Sequence, residues 1–494
     1  MAQPNLLQNA FSAEDFRKQG HALVEMLANH LAEGAAKERK TIPWQEPDDA
    51  LDFWQQDFEE GTTDDPLSIF TKIADKSTQL HNPRYMGHQV SVSLPLASLG
   101  GLVSDVLGNG MAVYEMGLVA NPLERIVTDW LCRKIGFDSD ATGFLTSGGT
   151  LANLTALLAA RAAKAPDDVW ENGSQNQLAV MVSEQAHYCI DRAARIMGWG
   201  TEGVIKIPVN EAFQMKTELL ETAFQTAKEK GIQVIAVVGS ACSTATGSYD
   251  NLEHISAFCQ KHNLWFHADG AHGGVTVLSE KYNFLTKGIE KADSVIIDFH
   301  KMMMIPALAT GVFFKKQDDS YNTFQQKAQY LWANQSSRDW YNSGKRTFEC
   351  TKYMMCVKIY TVLRTYGEQI FTENVEYLYD LGKQFATMIR NNSAFELAIE
   401  PQSNIVCFRY IEGVEKENLS EFNQNLRRLM LEDGRFYIVQ TALNEIVYLR
   451  VSLMNPLTTE VELLELLAIL TEKATILKAK IDRKSTRLNS SHVD

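Results

Sequence analysis

Val234-Ile235-Ala236-Val237-Val238 leads through a turn into the helical pattern Leu252–His262, and a second apolar run, Leu264-Trp265-Phe266-His267, follows at once. Strand, helix and strand in that order spell a βαβ unit, and such a unit places its two strands parallel in one sheet. Both runs are apolar at nearly every position, as expected of strands covered on both faces. The alternation extends outward. Leu178–Val182 comes before it, Ser294–Ile297 and Gly311–Phe314 come after, and Leu151–Ala165 reads as another covering helix. The sequence predicts an α/β fold with a mostly parallel sheet in its large domain.

The flanks read differently. At the N-terminal side, Ser12 and Asp15 match a capping box, Phe11 and Phe16 fall at the two staple positions, and Phe16, Leu23, Met26, Leu27 and Leu31 recur at helical spacing. Residues 41–66 are polar and carry prolines without a regular period, and are expected to be a wrapping connection. After about residue 350 a long helical stretch runs to about Asn391. Strand-like Ile405–Tyr410, Phe436–Thr441 and Ile446–Leu453 follow, then a helix from Thr459, an order that suggests a smaller α+β domain. The expected boundaries are 1–95 for an N-terminal helical, wrapping segment, 96–350 for the large domain and 351–482 for the small domain. Residues 483–494 have no apolar period and are set aside as a non-native or disordered tail.

Composition excludes several classes. The 494 residues are 45% hydrophobic and 22% charged, which is ordinary globular material and neither a disordered chain nor a collagen-like repeat. Lys+Arg 47 against Asp+Glu 61 leaves 47 − 61 = −14, so the footprint of a nucleic-acid binder is missing. No apolar run approaches the ~18 residues needed to cross a bilayer, and no secretory signal is visible at the start, so a cytoplasmic protein is expected. The 7 cysteines are scattered without a CxxC pair and read as reduced thiols. No zinc knuckle is visible, and His21, His30, His254 and His262 are taken to lack a partner at metal-ligand spacing and are read as structural.

Four short segments carry chemistry, each at the end of an expected strand or the start of a helix. Thr146-Ser147-Gly148-Gly149-Thr150 precedes the helix Leu151–Ala165. Free backbone N–H groups and hydroxyls at a helix start suit an anion, although the same residues serve equally as an ordinary cap. His267-Ala268-Asp269-Gly270-Ala271-His272 sets a carboxylate at a strand's C-terminal end, where such sheets bind ligands. Asp298-Phe299-His300-Lys301 closes another strand, and a partly buried lysine there is expected to have a lowered pKa and to act as a nucleophilic amine. Glu184-Gln185-Ala186-His187-Tyr188 offers an imidazole able to stack on a flat ring. Pyridoxal 5'-phosphate needs a lysine for its aldehyde, an acid for its pyridinium nitrogen, a cradle for its phosphate and a flat group on its ring. All four occur here.

As a set, these segments resemble the group II pyridoxal-phosphate-dependent amino-acid decarboxylases. The resemblance runs from about Asn82 to Gly367, with a weaker echo to about Thr458. It also takes in Asn82-Pro83-Arg84-Tyr85, Asn121-Pro122-Leu123-Glu124, and Thr244 ahead of Gly247-Ser248-Tyr249-Asp250. It implies the aspartate-aminotransferase-like type I fold, a homodimer, an L-amino-acid substrate and a carboxy-lyase reaction through a Schiff base at Lys301 and a quinonoid intermediate. It further implies Asp269 for the ring nitrogen, His187 and Ala271 for the two ring faces, and Thr244 close to the ring substituents. Ser147, Gly148, Gly149 and His300 would hold the phosphate. His88 and Gln89 would line the substrate pocket. Between Lys316 and Lys345, a loop tyrosine would protonate the reacting carbon; Tyr341 sits closest to the matching place, with Tyr330 in reserve.

Two departures stand out. Where most branches read Asn-x-His-Lys, this chain has Asp298-Phe299-His300-Lys301; with Tyr85-Met86-Gly87-His88, this is closer to the diaminobutyrate and lysine-type enzymes. Gly270 replaces the commoner alanine after Asp269. Three rivals stay open: an aminotransferase, for which Arg450 is the candidate carboxylate anchor; an aromatic aldehyde synthase; and a cofactor-binding interaction protein without catalysis.

Overall fold

Seven segments pair into one sheet: β1 (Thr142–Thr146), β2 (Leu178–Ser183), β3 (Val204–Ile207), β4 (Gln233–Ser240), β5 (Trp265–Asp269), β6 (Ser294–Asp298) and β7 (Thr310–Phe314). Their spatial order is β1-β7-β6-β5-β4-β2-β3. The pairs β2–β3, β2–β4, β4–β5 and β5–β6 are parallel, whereas β7 runs antiparallel to both β1 and β6. Only residues 299–309 link β6 to β7, and a link that short cannot carry the crossover a parallel pair requires. Five of the strands are buried at every position. The edge strand β3 instead exposes Lys206, which pairs with Asp191 at 2.8 Å and blunts the open edge.

This computed structural model describes residues 5–324 and 339–490. The sheet belongs to a compact unit of Gln89–Arg390 and Leu397–Cys407. In it the helix Gly149–Lys164 lays Ala152, Ala156, Leu157, Ala159 and Ala160 against Val180, Val182, Ile296 and Val312. A face of alanines lets the helix axis sit close to the strands and fixes where its first turn falls. The helical stretch beyond residue 350 resolves into Met355–Tyr366 and Gln369–Arg390, separated at Gly367, whose φ of 72° ends the first helix.

The second unit comprises Met1–His88, Asn391–Glu396 and Phe408–Asp494. The chain also forms a four-stranded sheet of β8 (Phe395–Leu397), β9 (Ile405–Tyr410), β10 (Val439–Leu443) and β11 (Ile446–Ser452), in the order β10-β11-β9-β8. Asn444 and Glu445, both at positive φ, make the tight turn joining β10 to β11. The opening helix is Ala13–Ala35, and Ser12 Oγ accepts a hydrogen bond from the Asp15 N–H at 3.2 Å, as its capping sequence predicts. Phe11 and Phe16 do not form a buried staple; they are 83% and 56% exposed. Residues 41–66 are not a plain connection either. Pro47–Glu59 forms a helix, with Pro47 preorganising its first turn and Asp48 and Asp49 favouring its N-terminal end. The last helix, Glu460–Ser490, continues past the point where the apolar period stops.

Candidate active site

The C-terminal ends of β4, β5 and β6 and the start of the helix Gly149–Lys164 meet around one cavity of about 160 Å³. Gly149, His187, Thr244, Asp269, Ala271, His300 and Lys301 all line it, so seven residues singled out in the sequence come together. Ser147 does not. It is exposed, its hydroxyl bonds Glu349 Oε1 at 3.1 Å, and it lines a neighbouring, more open cavity of about 720 Å³ with Leu308, Tyr353 and Lys358. Gly148, at φ 129°, makes the bend between Ser147 and Gly149.

Asp298 ends β6 and dominates the electrostatics. It is buried, Oδ2 lies 3.0 Å from Lys301 Nζ and 3.6 Å from His300 Nε2, and the Thr310 hydroxyl donates to Oδ1. The helix start presses on the same carboxylate. A Cβ on Gly149 would sit 3.3 Å from Oδ1, a tight contact that glycine avoids. Burial works to raise the Asp298 pKa, but Lys301, His300 and Thr310 outweigh it and hold the carboxyl below its usual value. Burial likewise works to lower Lys301, and Asp298, with Asp269 behind it, overrides that and leaves the amine raised. The expectation of a lowered lysine pKa is therefore reversed, because the sequence shows the burial while the structure adds the counter-ion.

Asp269 ends β5. Its Oδ2 accepts from Asn153 Nδ2 at 3.2 Å and its Oδ1 from the Ala271 N–H at 3.2 Å. His187 follows β2 and accepts the Cys189 N–H on Nδ1 at 3.3 Å; burial, partly offset by Asp269, lowers its pKa. It is thus a neutral, flat ring near neutral pH. His300 accepts the Ala309 N–H on Nδ1 at 3.2 Å, which leaves Nε2 toward Asp298.

Sequence reasoning passed over Asn153, Ser240, Cys242, Ser243 and His272, which also line the cavity. For Asn153 a signal existed: it stands four residues after Gly149, on the same helix face. Cys242 and Ser243 lie on a turn whose course no local pattern dictates.

Tyr341 packs edge-to-face on Tyr114 and Trp340, with ring centroids 5.6 Å apart in each case, and does not line the cavity. Tyr330 lies outside the described residues. Gln89 has a buried side-chain nitrogen without a hydrogen-bond partner among the described residues. In the second unit, His88 sets its ring 6.0 Å from that of Tyr437, and Arg450 on β11 is buried and donates to Ser452 Oγ at 3.3 Å.

The donor set suits pyridoxal phosphate. It has one amine, a carboxylate already oriented by two N–H donors, a neutral imidazole, and a helix start flanked by His300. Among the described residues no cluster of His, Cys, Asp and Glu is suited to a metal ion.

Comparison with known proteins agrees. Residues 69–411 match the family described as the pyridoxal-dependent decarboxylase conserved domain. An aromatic-L-amino-acid decarboxylase of Bacillus atrophaeus is 26% identical over 470 residues, covering 92% of this chain and 95% of the relative. An L-2,4-diaminobutyrate decarboxylase of Acinetobacter baumannii is 28% identical over 424 residues, covering 82% of each. The crystal structure of the glutamate decarboxylase domain of a diaminobutyrate-pyruvate transaminase and L-2,4-diaminobutyrate decarboxylase from Vibrio parahaemolyticus superposes with a TM-score of 0.83 at 22% identity, covering 96% of this chain and 97% of that one. The shared fold is the type I architecture expected from the sequence.

Proposed function

This chain belongs to the pyridoxal-dependent decarboxylase family, and from that premise we propose that it removes the α-carboxylate of an L-amino acid as CO₂, with Lys301, Asp269 and His187 as its working groups. The observation that carries this reading is the convergence of those three side chains with Asp298 on one cavity, inside the span 69–411 that matches the family.

Bound in that cavity, pyridoxal phosphate supplies an aldehyde for amine exchange and a ring that takes up the electron pair left by CO₂. The protein's part is proton placement and geometry. Lys301 Nζ must shed a proton before it can attack a carbonyl carbon, and Asp298 Oδ2, at 3.0 Å, pairs with the charged amine and sets how readily that proton leaves. Asp269 would present its carboxylate to a ring N–H, with lone pairs left toward the cavity because Asn153 and Ala271 occupy the others. His187, neutral and flat, would cover one ring face; Ala271, small, would leave room on the other, and Thr244 would lie close to the ring substituents. Gly149 and His300 would hold the phosphate at the helix start, with the backbone of Ser147 and Gly148 at the bend before it.

His88 and Gln89 line the substrate pocket, a reading supported by the unpartnered side-chain nitrogen of Gln89. Tyr341 is the acid that reprotonates the reacting carbon once the segment carrying it closes. The enzyme is a cytoplasmic homodimer. The seven cysteines are all free, among the described residues no helix is long and apolar enough to cross a membrane, and Leu99, Leu102, Val103, Val106 and Leu107 leave one helix apolar and exposed in the single chain.

The test is a panel of L-amino acids with CO₂ release and amine detection on the purified protein, together with borohydride reduction and peptide mapping. Amine and CO₂ in equal amounts, with cofactor fixed to Lys301, are expected. A keto acid as product would make it an aminotransferase, an aldehyde with ammonia would make it an aldehyde synthase, and no turnover on any substrate would leave only a binding role.

A further inference from the structure

Behind Asp269 lies a line of buried polar groups that the reaction as described does not use. Asn153, His267 and Ser294 are 1%, 0% and 0% exposed. Trp265 Nε1 is 2.8 Å from Ser294 Oγ, Ser294 Oγ is 2.8 Å from His267 Nδ1, His267 Nε2 is 2.8 Å from Asn153 Oδ1, and Asn153 Nδ2 is 3.2 Å from Asp269 Oδ2.

The direction of every bond follows from its two ends. An ionised carboxylate only accepts, so Asn153 must turn its NH₂ to Asp269, and its second N–H meets Cys189 Sγ at 3.3 Å. Asn153 Oδ1 then faces His267 and needs a donor, which places a proton on His267 Nε2. Trp265 Nε1 only donates, so the Ser294 hydroxyl receives from it and gives its own hydrogen to Nδ1. The Ser294 carbonyl, 3.2 Å from the same nitrogen, would suit a second proton there. Burial opposes the doubly protonated ring, lowering the His267 pKa to about 4.

We propose that Asn153 and His267 are positioning residues acting through Asp269: a one-directional hydrogen-bond chain, Trp265 to Ser294 to His267 to Asn153, holds the carboxylate so that its remaining lone pairs face the ring nitrogen of the cofactor. The inference rests on Asp269 facing that nitrogen, as set out above. Fixing the lone pairs from behind saves the reorganisation that a freely rotating carboxylate would need on binding. The selectivity should appear in binding, before any turnover.

The experiment compares two ligands on stripped enzyme by absorbance titration: pyridoxal phosphate and the analogue whose ring nitrogen is replaced by C–H. Wild type should prefer the natural cofactor by about tenfold or more, the scale of one charged hydrogen bond. Asn153→Leu and His267→Phe should lose most of that preference, with the analogue bound as before. His267→Gln, which still offers an N–H to Asn153, should keep it. Equal weakening of both ligands in the variants would reduce these residues to core packing and overturn the inference. Equal affinity in the wild type would overturn the placement of Asp269 itself, and the inference with it. A second measurement needs no substitution: ¹⁵N-histidine NMR of the holoenzyme should show His267 neutral with its proton on Nε2, and a proton on Nδ1, alone or in addition, sinks the chain as drawn.

Discussion

Asp298 Oδ2 stands 3.0 Å from Lys301 Nζ, and the same oxygen lies 3.6 Å from Nε2 of His300. One buried carboxylate therefore faces both the amine proposed to anchor the cofactor and the imidazole proposed to hold its phosphate. The same carboxylate sets an anion against the start of the helix Gly149–Lys164.

Replacing that anion should ease cofactor capture. Asp298→Asn removes the main influence holding the Lys301 amine charged, so its pKa falls and more free amine is present at neutral pH. The pH midpoint for formation of the visible cofactor band should move down, and capture at pH 7 should be severalfold faster. An unchanged midpoint would show that Asp298 does not control the amine.

Asp269→Asn should be far more damaging than Asp269→Glu. Asparagine offers no charge to a ring N–H, and loss of one charged hydrogen bond in a buried site costs about 1.5–3 kcal/mol, or roughly 10- to 100-fold in turnover. Steady-state amine formation by the two variants decides it; near-normal turnover in the Asn variant would remove Asp269 from its role.

Tyr341→Phe should lower amine formation by at least ~100-fold, the usual scale of a positioned general acid, while cofactor absorbance stays normal. With Tyr341 packed on Tyr114 and Trp340, the segment has to move for this to hold. Parent-level activity in Tyr341→Phe together with a crippled Tyr330→Phe would transfer the role to Tyr330.

Deleting residues 1–35 should lower dimer content and solubility, because Phe11, Phe16, Val24 and Leu27 are exposed in the single chain and an apolar helix of this kind needs a partner. Sedimentation of the truncated protein checks this, and a well-behaved active monomer would count decisively against the dimer.

The buried His267 gives a pH signature with a definite sign. Its folded-state pKa, about 4, lies below the unfolded value of 6.5, so its contribution is complete above pH 6.5 and is lost as pH falls toward 4. Asp250, raised to about 6 by its own burial, acts in the opposite direction over much of the same range. The difference between wild type and His267→Gln isolates the histidine. It should shrink by about 3 kcal/mol between pH 7 and pH 4 in urea unfolding. A difference that stays flat would mean that His267 is not buried as a neutral ring.

What the sequence disclosed depended on how far each residue's surroundings are local. Ile405–Tyr410 and the helix Leu252–His262 match the structure to the residue, because apolar period and flanking turns define them without outside help. β1 and β3 went unread: Thr142-Gly143-Phe144 is too mixed to look like a strand and becomes one only by pairing with β7. Within the site, Lys301, Asp269 and His187 were legible because each ends or closely follows a readable strand. The charge state of Lys301 was not, since it depends on Asp298 being turned inward rather than on either residue's identity. Asn153 escaped notice for the same reason; only the tertiary fold brings it to Asp269, 116 positions away.

The placement of β7 has a consequence for how the chain acquires its shape. β1, which delivers the turn Ser147-Gly148-Gly149, pairs in the large sheet with β7 alone, Thr142 opposite Phe314 and Thr146 opposite Thr310. A strand emerging early in synthesis thus waits for one made more than 160 residues later. Such distant pairing closes a long loop and is intrinsically slow. Until it forms, Lys301, just past β6, and Asp269, at the end of β5, can be present while the helix start that completes their cavity has no fixed address. A nascent chain halted before Thr310 would carry every residue assigned here to contact the ring and still lack the cradle.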